Sequence, residues 1–273
     1  SNDAVRVCVK GKSFGVNYGF ANFGETVANG LITNLVEILD EHMNVLKTEY
    51  APRTIALAQG IGHPNNFALS SYIKDLPVGP YTARVTLDAY NAIRERNEDD
   101  NTYGYKFAVS DPVSLNEALD NATLTFVTDE ESGWFGTKGL GADGVDAAQS
   151  AHKGNSSTNS LQTTVTGPGT IAFKWKVSSE AGYDELCFLV DGVMRASISG
   201  TGGDWEERSY ELSAGTHVVA WAYCKDSSYY DGGDCGWIDQ VTWTPAQSAP
   251  PAPTSVSATD GTYADKVSIS WTG

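Results

Sequence analysis

Asp239 is the residue whose surroundings demand a chemical explanation. It lies in the segment GWIDQVTWTP (236–245), where a period of two puts Trp237, Val241 and Trp243 on its face. A carboxylate aimed with three large apolar side chains is costly unless it is paired, hydrogen-bonded or metal-bound. Three readings follow: a metal ligand, an acceptor of backbone amides, or a strand-end carboxylate in solvent. No comparable signal marks a catalytic centre. His42, His63, His152 and His217 are scattered, and none lies in an HExxH pattern or beside a nucleophile motif. Gly139-Leu-Gly141-Ala-Asp-Gly144 matches GxGxxG letter for letter. It follows no apolar strand and opens no apolar helix, so it reads as a turn. Nothing singles out two of the 34 acidic side chains as a glycosidase pair. The expectation is a non-catalytic chain.

Recognition is the other chemistry to weigh. A ring can cover the apolar face of a pyranose while nearby carboxylates or amides fix its hydroxyls. Trp134-Phe135, Tyr183-Asp184, Trp205 and Tyr229-Tyr230-Asp231 place aromatic and polar groups together. Tyr229, Tyr230, Trp134 and Asp231 form the candidate ligand-binding set. Ser, Asp and Gly surround the two tyrosines, which favours exposure. Trp134 and Trp205 also suit the packed edge of a sandwich.

The cysteines are Cys8, Cys187, Cys224 and Cys235, without a CxxC pair or zinc spacing. One disulfide among Cys187, Cys224 and Cys235 is expected, with the pairing open. Cys8 is expected to be buried or free.

The formal charge of −16 and the absence of a basic patch argue against nucleic acid and anionic membranes. The same acidity suits a soluble, secreted protein and leaves carboxylates for calcium. No run of 18 apolar residues could span a membrane. At 273 residues the chain holds two or three domains, and 41% hydrophobic content is enough for real cores. Twenty-eight glycines and thirteen tyrosines against two methionines suit an all-β extracellular protein rich in turns.

The strands that position these residues concentrate between Gly167 and Trp243. In IAFKWKVSS (171–179), Phe173, Trp175 and Val177 alternate with Lys174 and Lys176, the mark of a half-buried strand. In THVVAWAYCKD (216–226) both faces are apolar, which reads as a central strand. ELCFLVDGV (185–193) carries an Asp191-Gly192 turn. Upstream, LITNLVEILDEHMNVLKTEY reads as a hairpin around Asp40-Glu41-His42, and YTARVTLD (81–88) as a strand with Tyr81, Ala83, Val85 and Leu87 inward. Residues 53–66 fit a short helix or a long loop. The Glu/Asn cluster at 95–101 lacks calcium-loop spacing and reads as side chains capping a tight connection.

The N-F-G turn, the Leu-Pro-x-Gly-x-Tyr turn and the series Asp88, Ile93, Glu95, Asn97, Glu98, Asn101 resemble the CARDB-type module of bacterial surface proteins. Asp100 departs from that pattern, where an Asn is usual. LNEALDN, WFG, DGVDAAQS, LQTTVTGPGT, DWEERSYELSAGTH and KDSS…DCGWIDQV resemble the MAM-like and cleaved-adhesin jelly rolls that flank secreted proteases and adhesins. TSVSATDGTYADKVSISWTG resembles the start of a fibronectin type III module.

These resemblances imply an all-β chain: an immunoglobulin-like β-sandwich, a jelly-roll β-sandwich and a truncated fibronectin-type segment. The expected divisions are 1–110, 111–245, a proline-rich linker at 246–253, and 254–273, with the natural protein continuing beyond. In jelly-roll relatives a structural calcium often ties the first strand to the last. That makes Asp239 the first candidate ligand, followed by Asp120, Asn121 and Asp226. The implied role is adhesion or binding of a carbohydrate or protein partner within a larger secreted bacterial polypeptide. The alternative is an accessory region of a secreted protease or glycoside hydrolase.

Overall fold

The computed structural model describes residues 6–12, 14–24, 27–68, 75–95, 97–129, 133–151, 154–228, 232–247, 254–258, 265–267 and 269–272. Among the described residues the chain is all β apart from one helical turn. Strands β1 (Arg6–Val9), β3 (Ala28–Leu39), β4 (Val45–Leu57), β6 (Gly79–Thr86) and β7 (Thr102–Ser110) form a sheet in the order β1-β7-β6-β3-β4. All pairings are antiparallel except β1 with β7. A ribbon of β2 (Gly15–Ala21) and β5 (Gly62–Ala68) lies over it. Val16 of the ribbon packs with Val36, Ile38, Ala83, Val85 and Phe107 of the sheet, completing a small sandwich.

Local chemistry explains the turns. Asp40 accepts hydrogen bonds from the amides of His42 (2.9 Å) and Asn44 (2.8 Å), closing the expected hairpin. The Tyr81 hydroxyl donates to the Pro77 carbonyl (2.8 Å), which pins the Leu-Pro-x-Gly-x-Tyr turn. Residues 53–66 are neither helix nor long loop. β4 runs to Leu57, a short turn follows, and β5 begins at Gly62.

The helical turn α1 (Leu115–Ala118), capped by the Ser114 hydroxyl, opens the second unit. Its sheet contains β8 (Phe126–Thr128), β9 (Phe135–Lys138), β10 (Asp146–Gln149), β11 (Thr158–Ser178), β12 (Glu185–Val190), β13 (Val193–Ile198), β14 (Glu206–Cys224) and β15 (Cys235–Pro245). Asp191 and Gly192, both at positive φ, make the two-residue β12–β13 turn. The two long strands β11 and β14 pair along their whole length, with an irregularity at Gly167–Gly169. Their early and late halves both send side chains into one core: Leu161 and Val165, then Ile171, Phe173 and Trp175. The pair therefore folds over on itself. One half-sheet is β8-β11-β14-β12-β13, and the other is β14-β11-β15-β10-β9.

Phe173 meets Phe188 at 4.7 Å and Trp221 at 5.2 Å between ring centroids, joining the two halves. Lys174 and Lys176 face away, as their alternation requires. The first unit meets the second through Val9, Phe135 and Ala151. Gly136 sits at this junction, where an added Cβ would lie 2.5 Å from the Val113 carbonyl oxygen. A short ribbon of β16 (Thr254–Ala258) and β17 (Ile269–Thr272) follows. Its described residues are exposed.

Candidate functional site

Asp239 is 1% exposed, but its neighbours differ from those a strict alternation gives. Gln240 has φ 51° and the β11–β15 register shifts between Ala172 and Lys174. This bulge sends Ile238 and Val241 into the core, and Trp243 packs against it. Asp239 goes to the other face with Trp237. There its two oxygens accept from the Ala142 and Gln240 amides, each at 2.6 Å. Of the three readings, the amide-acceptor one describes the geometry. Burial, with Asp120 and Asp143 nearby, pushes its carboxyl up to about 6, the two amides opposing.

Of the remaining candidate metal ligands, Asp120 is near enough to raise the Asp239 carboxyl, whereas Asn121 and Asp226 have partners of their own. Asn121 is occupied: its Oδ1 accepts from the Thr123 amide and hydroxyl and the Leu124 amide, and its Nδ2 donates to the Val241 carbonyl. That set ties the chain after α1 to β15. Asp226 caps its own turn through the Ser228 amide (2.8 Å). Asp120 contributes charge from an exposed position at positive φ. Among the described residues no three His, Cys, Asp or Glu side chains form a metal-holding group.

Trp134 is a correction too. It is 1% exposed within the core, and its indole N–H donates to the Asn159 carbonyl (3.3 Å). An apolar slot beneath β11 claims the ring, so it offers no surface to a ligand. Tyr229, Tyr230 and Asp231 lie outside the described residues. Tyr183 is exposed and Trp205 half-buried, whereas Asp184 is buried.

Asp184 belongs to a network absent from the sequence reading. The Lys225 ammonium donates to Asp184 and Asp234, each at 2.7 Å, with all three side chains at most 1% exposed. The Tyr223 hydroxyl donates to Asp234 (3.0 Å), and Asp184 also accepts from the Asp226 amide (2.9 Å). Burial pushes the ammonium down, but the two carboxylates more than offset it and leave Lys225 above its ordinary value. The network joins the end of β14 to the 180–184 and 232–234 loops. No disulfide joins any of the four cysteines. Cys8 is buried in the first sandwich.

A better candidate face lies on the first unit. Ile32, Val36 and Ile38 point into the core, so Leu31, Thr33, Leu35 and Glu37 occupy the outer face of β3. Leu35 pairs with Tyr50 on one side and Thr86 on the other. Tyr50 projects from β4, an edge strand, and is 54% exposed. Tyr90, 68% exposed, lies beside it with ring centroids 6.2 Å apart and planes 10° from parallel. Ring faces in full contact sit nearer 3.5–4 Å apart, roughly. The pair is therefore widely offset, and each ring leaves much of a face bare.

Buried polar groups hold Tyr90 in place. Asp88, 3% exposed and at φ 41°, accepts from the amides of Ala92 (3.0 Å) and Ile93 (2.7 Å). Its own amide donates to the buried Asn34 side chain (3.3 Å), and the Ala89 amide donates to the Thr33 carbonyl (2.8 Å). The Glu98 side chain accepts from the Glu95 amide, and that of Asn97 from Asp99. The acidic cluster is thus capping, as its spacing implied.

One step along β3 from Leu35, the partner of Tyr50, and about 7 Å from it by strand geometry, Glu37 accepts from Arg84 of β6 (2.7 Å). The Thr86 and Thr102 hydroxyls meet at 3.1 Å on the same face. Two exposed rings, a planar ion pair and two hydroxyls thus share one face of the sheet.

No family model and no curated protein matches this chain. Among solved structures, the secreted serine protease VesC from Vibrio cholerae is 12% identical with a TM-score of 0.39, covering 88% of this chain and 49% of its own. This chain thus spans about half the length of VesC. The K3 cleaved adhesin domain of Lys-gingipain from Porphyromonas gingivalis is 15% identical (TM-score 0.32), covering 45% of this chain and 92% of its own. The CBM22-1 xylan-binding domain of Paenibacillus barcinonensis Xyn10C is 12% identical (TM-score 0.34), covering 50% and 94%. The likeness is one of β-sandwich architecture, and no residue role is carried across it.

Proposed function

We propose that this chain is a non-catalytic recognition region of a secreted bacterial protein, and that it binds carbohydrate on the outer face of the five-stranded sheet. The Tyr50–Tyr90 pair carries the reading: two exposed, near-parallel rings are held out by buried capping bonds. Ring faces stack on the apolar C–H faces of sugars, and planar charged groups beside them take hydroxyls in pairs. Glu37 and Arg84 neutralise each other, so the face suits neutral sugars. The chain's charge of −16 disfavours polyuronates in the same way.

Affinity electrophoresis against xylan, mannan, β-glucan and chitin-derived polymers tests this. Retention by at least one neutral polysaccharide is expected, and Tyr50→Ala and Tyr90→Ala should each weaken it by about tenfold or more, equivalent to about 1.4 kcal/mol. Retention that survives both substitutions, or none with any neutral polymer, overturns the proposal.

A further inference from the structure

We propose that Cys187 and Cys224 are a thiol–disulfide exchange pair on the outer face of the β8-β11-β14-β12-β13 half-sheet, closing to a cross-strand disulfide in an oxidising medium. The register puts them together. Cys187 on β12 lies opposite Ala222, and Glu185 lies opposite Cys224 on β14. The two cysteines are therefore diagonal neighbours on one face. The other face of these strands carries Leu186, Phe188, Trp221 and Tyr223 in the core.

The two thiols lie close enough to shift each other's titration, and Thr158, opposite Cys224 in the β11–β14 pairing, acts on Cys224 as well. Cys224 is partly buried, whereas Cys187 is 6% exposed with its sulfur 4.0 Å from a Glu185 carboxylate oxygen. Neither of the other cysteines shares this face. Cys8 is in the first sandwich, and Cys235 pairs with Ser178 in the opposite half-sheet.

The asymmetry assigns roles. The interaction with Cys187 holds Cys224 below the ordinary thiol value, which makes Cys224 the attacking sulfur. The same interaction, then burial, pushes Cys187 up and keeps it a thiol. With a small disulfide as oxidant, the Cys224 sulfur attacks one sulfur of the reagent and expels a thiolate. Cys187 then loses its proton to solvent and attacks the Cys224 sulfur of the mixed disulfide, releasing a second thiolate. Two protein thiols are oxidised and one reagent disulfide is reduced to two thiols. Diagonal Cα atoms stand about 7–8 Å apart, while a disulfide is most comfortable at about 5.5–6 Å. The strands must draw together slightly, so the bond should reduce readily.

The test is incubation of the full chain with oxidised glutathione near neutral pH, followed by alkylation and non-reducing peptide mapping. The expected product links the peptides bearing Cys187 and Cys224, with Cys8 and Cys235 alkylated. Cys187→Ser should stall as a glutathione adduct on Cys224, and Cys224→Ser should form neither adduct nor bridge. The iodoacetamide reaction rate of Cys224 should turn on with a midpoint below that of an ordinary thiol, about 8.5. A bridge containing Cys235, no bridge at all, or a Cys187→Ser variant that takes no glutathione would overturn the proposal.

Discussion

The Lys225 network and the Tyr50–Tyr90 face spend their residues in opposite ways. Around Lys225, charged groups that usually sit in water are at most 1% exposed and tie two loops to the end of a core strand. Around Tyr50, rings that usually help fill a core stand more than half exposed, while a small buried carboxylate, Asp88, holds one of them out. In the first region polar chemistry serves architecture. In the second, architecture serves an exposed apolar surface. Aromatic abundance alone therefore misdirects: Trp134, Trp175 and Trp221 are fully enclosed, and the open Tyr50 and Tyr90 rings stand on the first unit.

The sharpest way to break this contrast is Lys225→Met. Removing one member of a buried ion pair leaves uncompensated charge and costs about 3–5 kcal/mol, here with two carboxylates stranded. Thermal or urea unfolding should report that loss. A variant within 1 kcal/mol of the parent, by the rough standard of exposed pairs, would place the network in water. Trp134→Ala should cost a comparable amount, about 3–5 kcal/mol, and leave polysaccharide retention of the folded protein unchanged. A stable Trp134→Ala variant that loses binding would return this residue to the ligand set.

A smaller effect is expected at Asp239. Its folded-state value, pushed up to about 6, lies above the ordinary carboxylate value. Its contribution to stability is complete below the unfolded-state value near 3.8 and is lost as pH rises through about 6. The loss is at most roughly 3 kcal/mol, since a pKa unit is about 1.4 kcal/mol. Melting temperatures from pH 4 to 7 should carry this fall, and Asp239→Asn should flatten that part of the profile relative to the parent. EDTA should leave the parent melt unchanged, because both carboxylate oxygens already have amide donors. A chelator-dependent drop would instead restore a cation to this corner.

The sequence told the two regions apart only in part. Alternation in 171–179 located the core face correctly, and the doubly apolar 218–224 run did become a strand between β11 and β12. The Asp40 and Asp191-Gly192 turns were equally legible, because turn chemistry is local. The face of Asp239 was not, since one extra residue at Gln240 reverses the alternation and leaves no compositional trace. Lys225 and Asp234 carried no signal of their own and Asp184 read as the polar partner of Tyr183; the three are separated along the chain and brought together only by the fold. Tyr50 and Tyr90 were hidden for the same reason. One is on an edge strand and the other in a capped loop, and only the β3–β4 register makes them neighbours.

The smallest stability effect is the most informative. Tyr50 and Tyr90 touch chiefly each other and solvent, so Tyr50→Ala removes an exposed ring pair worth about 0.5–1.5 kcal/mol at most. Unfolding curves for Tyr50→Ala and Tyr90→Ala should lie close to the parent, and the double variant should cost no more than the larger single loss, because one pairing energy is shared. Core aromatics such as Phe173 would behave in the opposite way, each truncation adding a cavity. If the tyrosine variants unfold as early as a core truncation, the rings are structural and the outer face loses its claim to a ligand. If they stay stable while retention on a neutral polysaccharide disappears, the two regions are separated by function as well as by burial.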